Sequence, residues 1–238
     1  MKRFLLSLFI ILLFYLPCYI SNDLLIDLTQ EDGPYEYTGA IFFLFTAGVY
    51  FILAIYPKRY NDHSKENRRI TRVYFSILAL VFVFAFGEEI SWGQRIFNFA
   101  TPEAIKDINL QQEFNFHNLE IFHGKTADGE EKKGILALLT LHKIFYLSFL
   151  FYLLFIPILY KTNARVRTLI KRIHLPIPQI IFGLLFIFNL FYDNILRAIF
   201  SDLDGHGIVE IKEVVIALIL LAFSVSLMQN KPKEINRT

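Results

Sequence analysis

Residues 73–97 read VYFSILALVFVFAFGEEISWGQRIF, and the fold turns on how far this helix runs. The fifteen residues 73–87 carry no charge. Crossing a hydrocarbon core takes roughly 20 predominantly apolar residues as helix. The span is therefore expected to continue past Glu88 and Glu89 to about Trp92, which puts two carboxylates at or just inside a membrane boundary. Downstream, residues 87–124 pack Glu88, Glu89, Gln94, Arg95, Asn109, Gln111, Glu113, Asn115, His117 and Asn118 into one short segment. A chain of greasy helices does not need this cluster to fold, so it is read as the working part.

Working outward, 55% of the 238 residues are hydrophobic, well above a soluble domain, and they collect in long runs. The expected fold is an all-α, polytopic bundle forming a single membrane domain. Its six spans are placed at about 4–20, 38–56, 73–92, 135–160, 175–197 and 208–228. Residues 93–134 form a cap: a short surface helix, then a segment folded back over the bundle. The first run is read as an uncleaved span rather than a signal peptide, because no small-x-small cleavage site follows it. The single cysteine, Cys18, excludes an internal disulfide.

Charge gives the orientation. Lys2 and Arg3, the loop carrying Lys58, Arg59, Lys65, Arg68, Arg69 and Arg72, the loop carrying Lys161, Arg165, Arg167, Lys171 and Arg172, and the tail fall on one side under a six-span count. Basic short loops mark the cytoplasmic side. Both termini are then cytoplasmic, in a plasma (inner) membrane. The acidic loop with Asp23, Asp27, Glu31, Asp32 and Glu36, the cap, and the turn SDLDGHG at 201–207 face outward.

The ionisable groups within spans gather in the outer half. His142 and Lys143 begin the fourth span. Asn189, Asp193 and Arg197 recur every four residues on one face of the fifth, and Glu210 and Glu213 stand three apart at the start of the sixth. Charge at membrane depth costs a few kcal/mol unless paired or hydrated. A polar, water-accessible cavity open to the outside is expected, with Lys143, Lys212 and Glu213 read singly as residues that snorkel to the interface.

Within the cluster, a continued helix puts Glu88, Trp92 and Arg95 on one face, pairing Arg95 with Glu88 and leaving Glu89 reactive. Adjacent carboxylates in a low-dielectric site suit one of them to acid–base work. Thr101 reads as an N-cap with Pro102 in the first helical position. Gln111, Glu113, Asn115 and His117 alternate, as on one face of an extended segment, with Phe114 and Phe116 opposite. His117 is a candidate base, acid or ligand; His123 and His206 read as solvated loop histidines. No pair has HExxH spacing, although a composite Glu/His site from separate helices would suit zinc. Residues 125–133 read as a solvated loop.

The pattern GEEISWGQRIF, then TPE, then NxQxExNxHN across residues 87–118 resembles one found in bacterial polytopic membrane proteins, a likeness that implies the bundle but no activity. A weaker likeness is to the membrane-embedded CAAX-processing and bacteriocin-processing proteases, which activate water with a glutamate pair, an arginine and later histidines. Glu88-Glu89 and Arg95 echo the first motif, although Arg95 stands six positions after Glu89 where that family has four. Phe114-Asn115-Phe116-His117 is one residue shorter than its Phe-x-x-x-His element.

Three function classes follow. The first is a membrane-embedded hydrolase or transferase acting on a lipid, lipid-linked or membrane-peptide substrate. In it Glu89 or Glu88 is the base, His117 the proton shuttle, Arg95 an orienting cation, and Asn115 and Asn118 hold substrate or oxyanion. The second is an ion-coupled transporter using Glu89, Asp193 and Glu210. The third is a non-catalytic assembly or sensing protein whose cluster is a structural network. The bilayer is a partner in all three, and no nucleic-acid partner is expected.

Overall fold

A computed structural model describes residues 2–60, 65–124, 126, 130–133, 140–173 and 175–229. The described residues are mainly helical, with no strand among them. Four helices are long and apolar enough to cross a membrane: Pro34–Ile55, Arg68–Glu89, Lys143–Thr162 and Ile180–Ile199. They expose large apolar side chains along their length, such as Ile77, Leu80 and Phe84 on the second and Leu147 and Phe151 on the third. Such faces are stable against lipid rather than water.

The first apolar run is not one straight span. Helix α1 (Lys2–Phe14) stops short of Pro17, which opens the brief α2 (Pro17–Ile20); proline has no amide to continue the ladder. Helix α3 (Asn22–Thr29) follows, capped by the Ser21 side chain accepting from Leu24 N–H. Helix α4 (Pro34–Ile55) then descends, starting on a proline at its first turn, where no N–H is needed.

Helix α5 (Lys65–Glu89) returns and stops at Glu89. The expected continuation to Trp92 does not form: Ser91, Trp92 and Gly93 all have left-handed backbones, φ 45°, 54° and 77°. The helical character resumes only in α6 (Gln94–Phe97) and α7 (Glu103–Lys106). The latter is capped by Pro102 rather than Thr101, whose hydroxyl accepts from Gln94 Nε2 instead (2.9 Å).

The next crossing runs through α8 (Leu141–Leu150), a π turn at Phe151–Phe155 and α9 (Ile156–Thr162). Pro157 explains the π turn, because it withdraws an amide from the ladder. Gly183 packs against this bulge: a Cβ there would stand 2.7 Å from the Leu153 carbonyl oxygen. The expected start of this span at 135 lies outside the described residues. After α10 (Ala164–Ile173), α11 (Ile180–Ile199) begins five residues later than expected, behind the non-helical stretch with Pro176 and Pro178.

The last helix, α12 (Gly205–Gln229), is the hub. It packs against α4, α11, α3 and α1, and buries Ile208, Ile211, Val215, Ile219, Phe223 and Leu227. Asp204 caps it, accepting from Gly207 N–H (2.6 Å). The starts of α4 and α12 and the end of α5 thus meet at one end of the bundle, under the 90–124 segment.

Candidate functional site

At that end lies a cavity of about 180 Å³. Its walls are Glu31 and Glu36 from the loop and start of α4, Glu89 from the end of α5, and His206, Val209, Glu210 and Glu213 from α12. The roof is Gln111, Glu113, Asn115, His117, Asn118 and His123. Six carboxylates and three imidazoles surround one hollow. Unit charges 4 Å apart interact by about 4 kcal/mol at an effective dielectric of 20. Groups so gathered hold protons or cations between them, and repel anions.

The roof is built by its own side chains. Asn109 Nδ2 donates to the Asn115 carbonyl and Oδ1 (both 2.9 Å), while Asn109 Oδ1 accepts from Gln111 and Glu113 N–H. Residues 109 and 119 pair as a β-bridge, closing the segment into a loop. It is not the extended segment expected, since Gln112 turns it with φ 59°. Even so, Gln111, Glu113, Asn115 and His117 all reach the cavity. Phe116 stacks on Phe84, and Phe114 meets Phe99 edge-on. Gln94 ties the parts together, accepting from Phe114 N–H (2.7 Å) as it donates to Thr101.

The adjacent glutamates have opposite situations. Glu88 is buried, its side chain 6% exposed. Its Oε1 accepts from Trp92 Nε1 (2.6 Å), and its Oε2 accepts from Phe116 N–H (2.7 Å) and His117 N–H (2.8 Å). Gly87 lets the Trp92 ring lie this close; a Cβ would stand 2.9 Å from it. Glu88 Oε2 also lies 3.4 Å from His117 Nδ1. A carboxylate at Nδ1 holds an imidazole with Nε2 as its working nitrogen. Glu89, by contrast, faces the cavity and makes no hydrogen bond to another side chain or amide among the described residues.

Arg95 does not pair with Glu88. It reaches over the roof to Asp32 and Glu113, with Glu31 3.8 Å away. The helix break at residues 91–93 rotates Arg95 off the α5 face on which the pairing depended. Glu113 also accepts from Ser91 Oγ (2.6 Å) and Asn115 Nδ2 (3.1 Å). Asn118 Nδ2 donates to Gln111 Oε1. Asn115 and Asn118 therefore spend donors on the loop itself.

The fifth-span residues do not join the cavity. Asp193 pairs with Lys212 Nζ (3.1 Å), and Asn194 donates to its other oxygen. Asn189 is buried, accepting from Tyr15 O–H (2.7 Å) and donating to the Lys212 carbonyl (2.9 Å). Arg197 donates to the Gly205 carbonyl (3.0 Å). Their common helix face turns toward α12 and α1, away from the hollow. Lys212 is thus an internal partner, not a snorkelling end. The side chain of His142 lies outside the described residues.

The walls include Glu31 and Glu36, which the sequence placed only in an outward acidic loop, and Glu213, read singly as a snorkelling residue; His123 and His206, read as solvated loop histidines, also line the cavity. His123 Nε2 sits 2.9 Å from the His117 carbonyl, and His206 Nε2 sits 3.7 Å from Glu210. The available signal was positional: each acid starts a helix or precedes one on the cap side. Residues 125 and 127–129 of the surface-loop expectation lie outside the described residues; Lys132 donates to the Glu120 carbonyl (2.6 Å). Among the described residues no group of three His, Cys, Asp or Glu is arranged to hold a metal ion, so the zinc expectation finds no ligand set there. No protein-family model matches the chain, and no curated protein or solved structure matches it, so neither resemblance gains a matched relative.

Proposed function

We propose that this chain is a membrane-embedded hydrolase whose water is activated by Glu89 inside the capped cavity. The observation that carries this reading is the division of labour between neighbours: Glu88 is consumed in holding the roof, while Glu89 opens on the hollow. Glu89 takes a proton from water as that water attacks an acyl carbon, and His117 Nε2, on the imidazole oriented by Glu88, relays that proton from Glu89 to the leaving group as its bond to the acyl carbon breaks. Glu88 is a positioning residue. Arg95, engaged by Asp32 and Glu113, braces the roof and is not left to bind an anion.

The acid-lined wall supports one substrate class over another. Phosphorylated headgroups meet six carboxylates and are repelled. A neutral acyl ester or a membrane peptide with a cationic or uncharged reacting end fits better. Six spans, with the cap on the outer face and both termini cytoplasmic, complete the proposal; the alternation of basic and acidic loops supports it.

The test is hydrolysis of a panel of fluorogenic acyl esters and hydrophobic peptides by the full chain in proteoliposomes. Glu89→Gln and His117→Gln are each expected to lower turnover by about 10²–10⁴-fold with unchanged thermal unfolding. Wild-type rates in both would refute the mechanism. A second reading, a proton- or cation-coupled carrier, is favoured by the facing of Glu36, Glu89, Glu210 and Glu213 across one hollow. Flux of protons into the same proteoliposomes that is lost in Glu89→Gln, without hydrolysis of any probe, would establish it instead.

A further inference from the structure

The far end of the bundle carries a second surface. Residues 161–173, KTNARVRTLIKRI, hold five basic residues and no acid. Most of them form α10, which Asn163 caps by accepting from Arg165 and Val166 N–H (2.9 and 3.2 Å). Ile170 is buried against the bundle. Arg167 turns inward and closes the end of α9, donating to the carbonyls of Tyr160 (2.9 Å) and Lys161 (2.7 Å). Arg165, Lys171 and Arg172 are exposed and make no ion pair among the described residues.

Beside them, Leu169 and Ile173 are 56% and 48% exposed. Arg165, Leu169, Arg172 and Ile173 stand at i, i+4, i+7 and i+8, and so share one side of the helix. Two large aliphatic side chains edged by arginines suit neither bulk water nor a packed interior. They suit the plane where acyl chains meet headgroups.

The position of α10 agrees. Thr140, just before α8, lies beside Gly124 at the edge of the roof, where an added Cβ would stand 3.7 Å from the Thr140 methyl. The run from Leu141 to Thr162 rises about 33 Å at 1.5 Å per residue, against a hydrocarbon thickness of about 30 Å. Helix α10 therefore begins where the third apolar crossing leaves the opposite leaflet.

We propose that α10 is an anchor for anionic phospholipid in the leaflet opposite the cap. Leu169 and Ile173 enter the acyl boundary, and Arg165, Lys171 and Arg172 take lipid phosphates. This site is separate from the cavity and stands whether or not the chain is a hydrolase.

The test titrates the full chain, in a neutral detergent, with phosphatidylglycerol and with phosphatidylcholine, and reads lipid occupancy by native mass spectrometry. The wild type should bind phosphatidylglycerol at least about fivefold more tightly, the weight of one basic residue near an anionic surface. The triple variant Arg165→Gln/Lys171→Gln/Arg172→Gln should bring the ratio to near one with unfolding unchanged. Leu169→Ser/Ile173→Ser should weaken both lipids alike. Inorganic phosphate at millimolar concentration should displace neither; displacement would point to a free anion and overturn the lipid assignment. A wild type without preference, or a triple variant that keeps it, would also overturn it. Should the triple variant misfold, raising wild-type salt to about 0.5 M must erase the preference, because exposed charges are then screened within a few ångströms.

Discussion

Two polar regions lie inside this bundle, and they meet the cost of buried charge in different ways. Around Asp193 every charge has a partner: Lys212 meets it, Asn194 covers it, and Asn189 binds Tyr15 and the Lys212 carbonyl. Around Glu89 the acids of α4, α5 and α12 face a hollow and one another. The first cluster locks helices together. The second leaves Glu89 without a hydrogen bond among the described residues and open to a proton, a cation or a substrate. Charge in a span is thus a poor guide to a site; whether its partners are already present is a better one.

Breaking the paired cluster should give the largest effect on stability. With side chains only 13% and 12% exposed, removing one partner by Asp193→Leu or Lys212→Met should lose about 3–5 kcal/mol, and the double variant should recover most of it. Unfolding in mixed micelles measures this double-mutant cycle, and additive losses would contradict a locked pair. Next comes Glu88→Ala, which strands the amides of Phe116 and His117 and should lose about 1–3 kcal/mol in all once water reaches them. Hydrogen exchange should accelerate at those two amides and in the roof, and not in α11. Gly87→Ala pushes a Cβ into the Trp92 ring and should lose about 1–3 kcal/mol, visible as a shift in tryptophan emission. Smallest is Glu89→Gln, which relieves repulsion and should change stability by about 1 kcal/mol or less, in the favourable direction. A large loss there would mean that Glu89 is structural and the contrast between the two regions is false.

The helices themselves were legible in the sequence. Runs such as 38–56 and 73–87 announce their length and apolarity, whereas Pro17 and the stretch with Pro176 and Pro178 break or delay helices expected to run through them. The break after Glu89 was not legible, because Ser91 and Trp92 adopt left-handed backbones that their residue types do not favour. Only the surrounding contacts hold them: Ser91 donates to Glu113, and Trp92 to Glu88. The mistaken pairing of Arg95 with Glu88 followed from that missed break. Glu36 and Glu213 were passed over for another reason, since a carboxylate at a helix end looks the same in sequence whether it faces headgroups or a hollow.

By itself, the sequence determined an all-helical chain with membrane-length apolar helices, and the alternation of Gln111, Glu113, Asn115 and His117 that reaches the cavity. These follow from residue type and short-range period, which need no partner to be read. Tertiary structure alone decided that Glu88 is spent and Glu89 open, that Asp193 belongs to Lys212, and that acids from three helices share one hollow. Those facts depend on which helix turns its face to which, and long-range packing sets that.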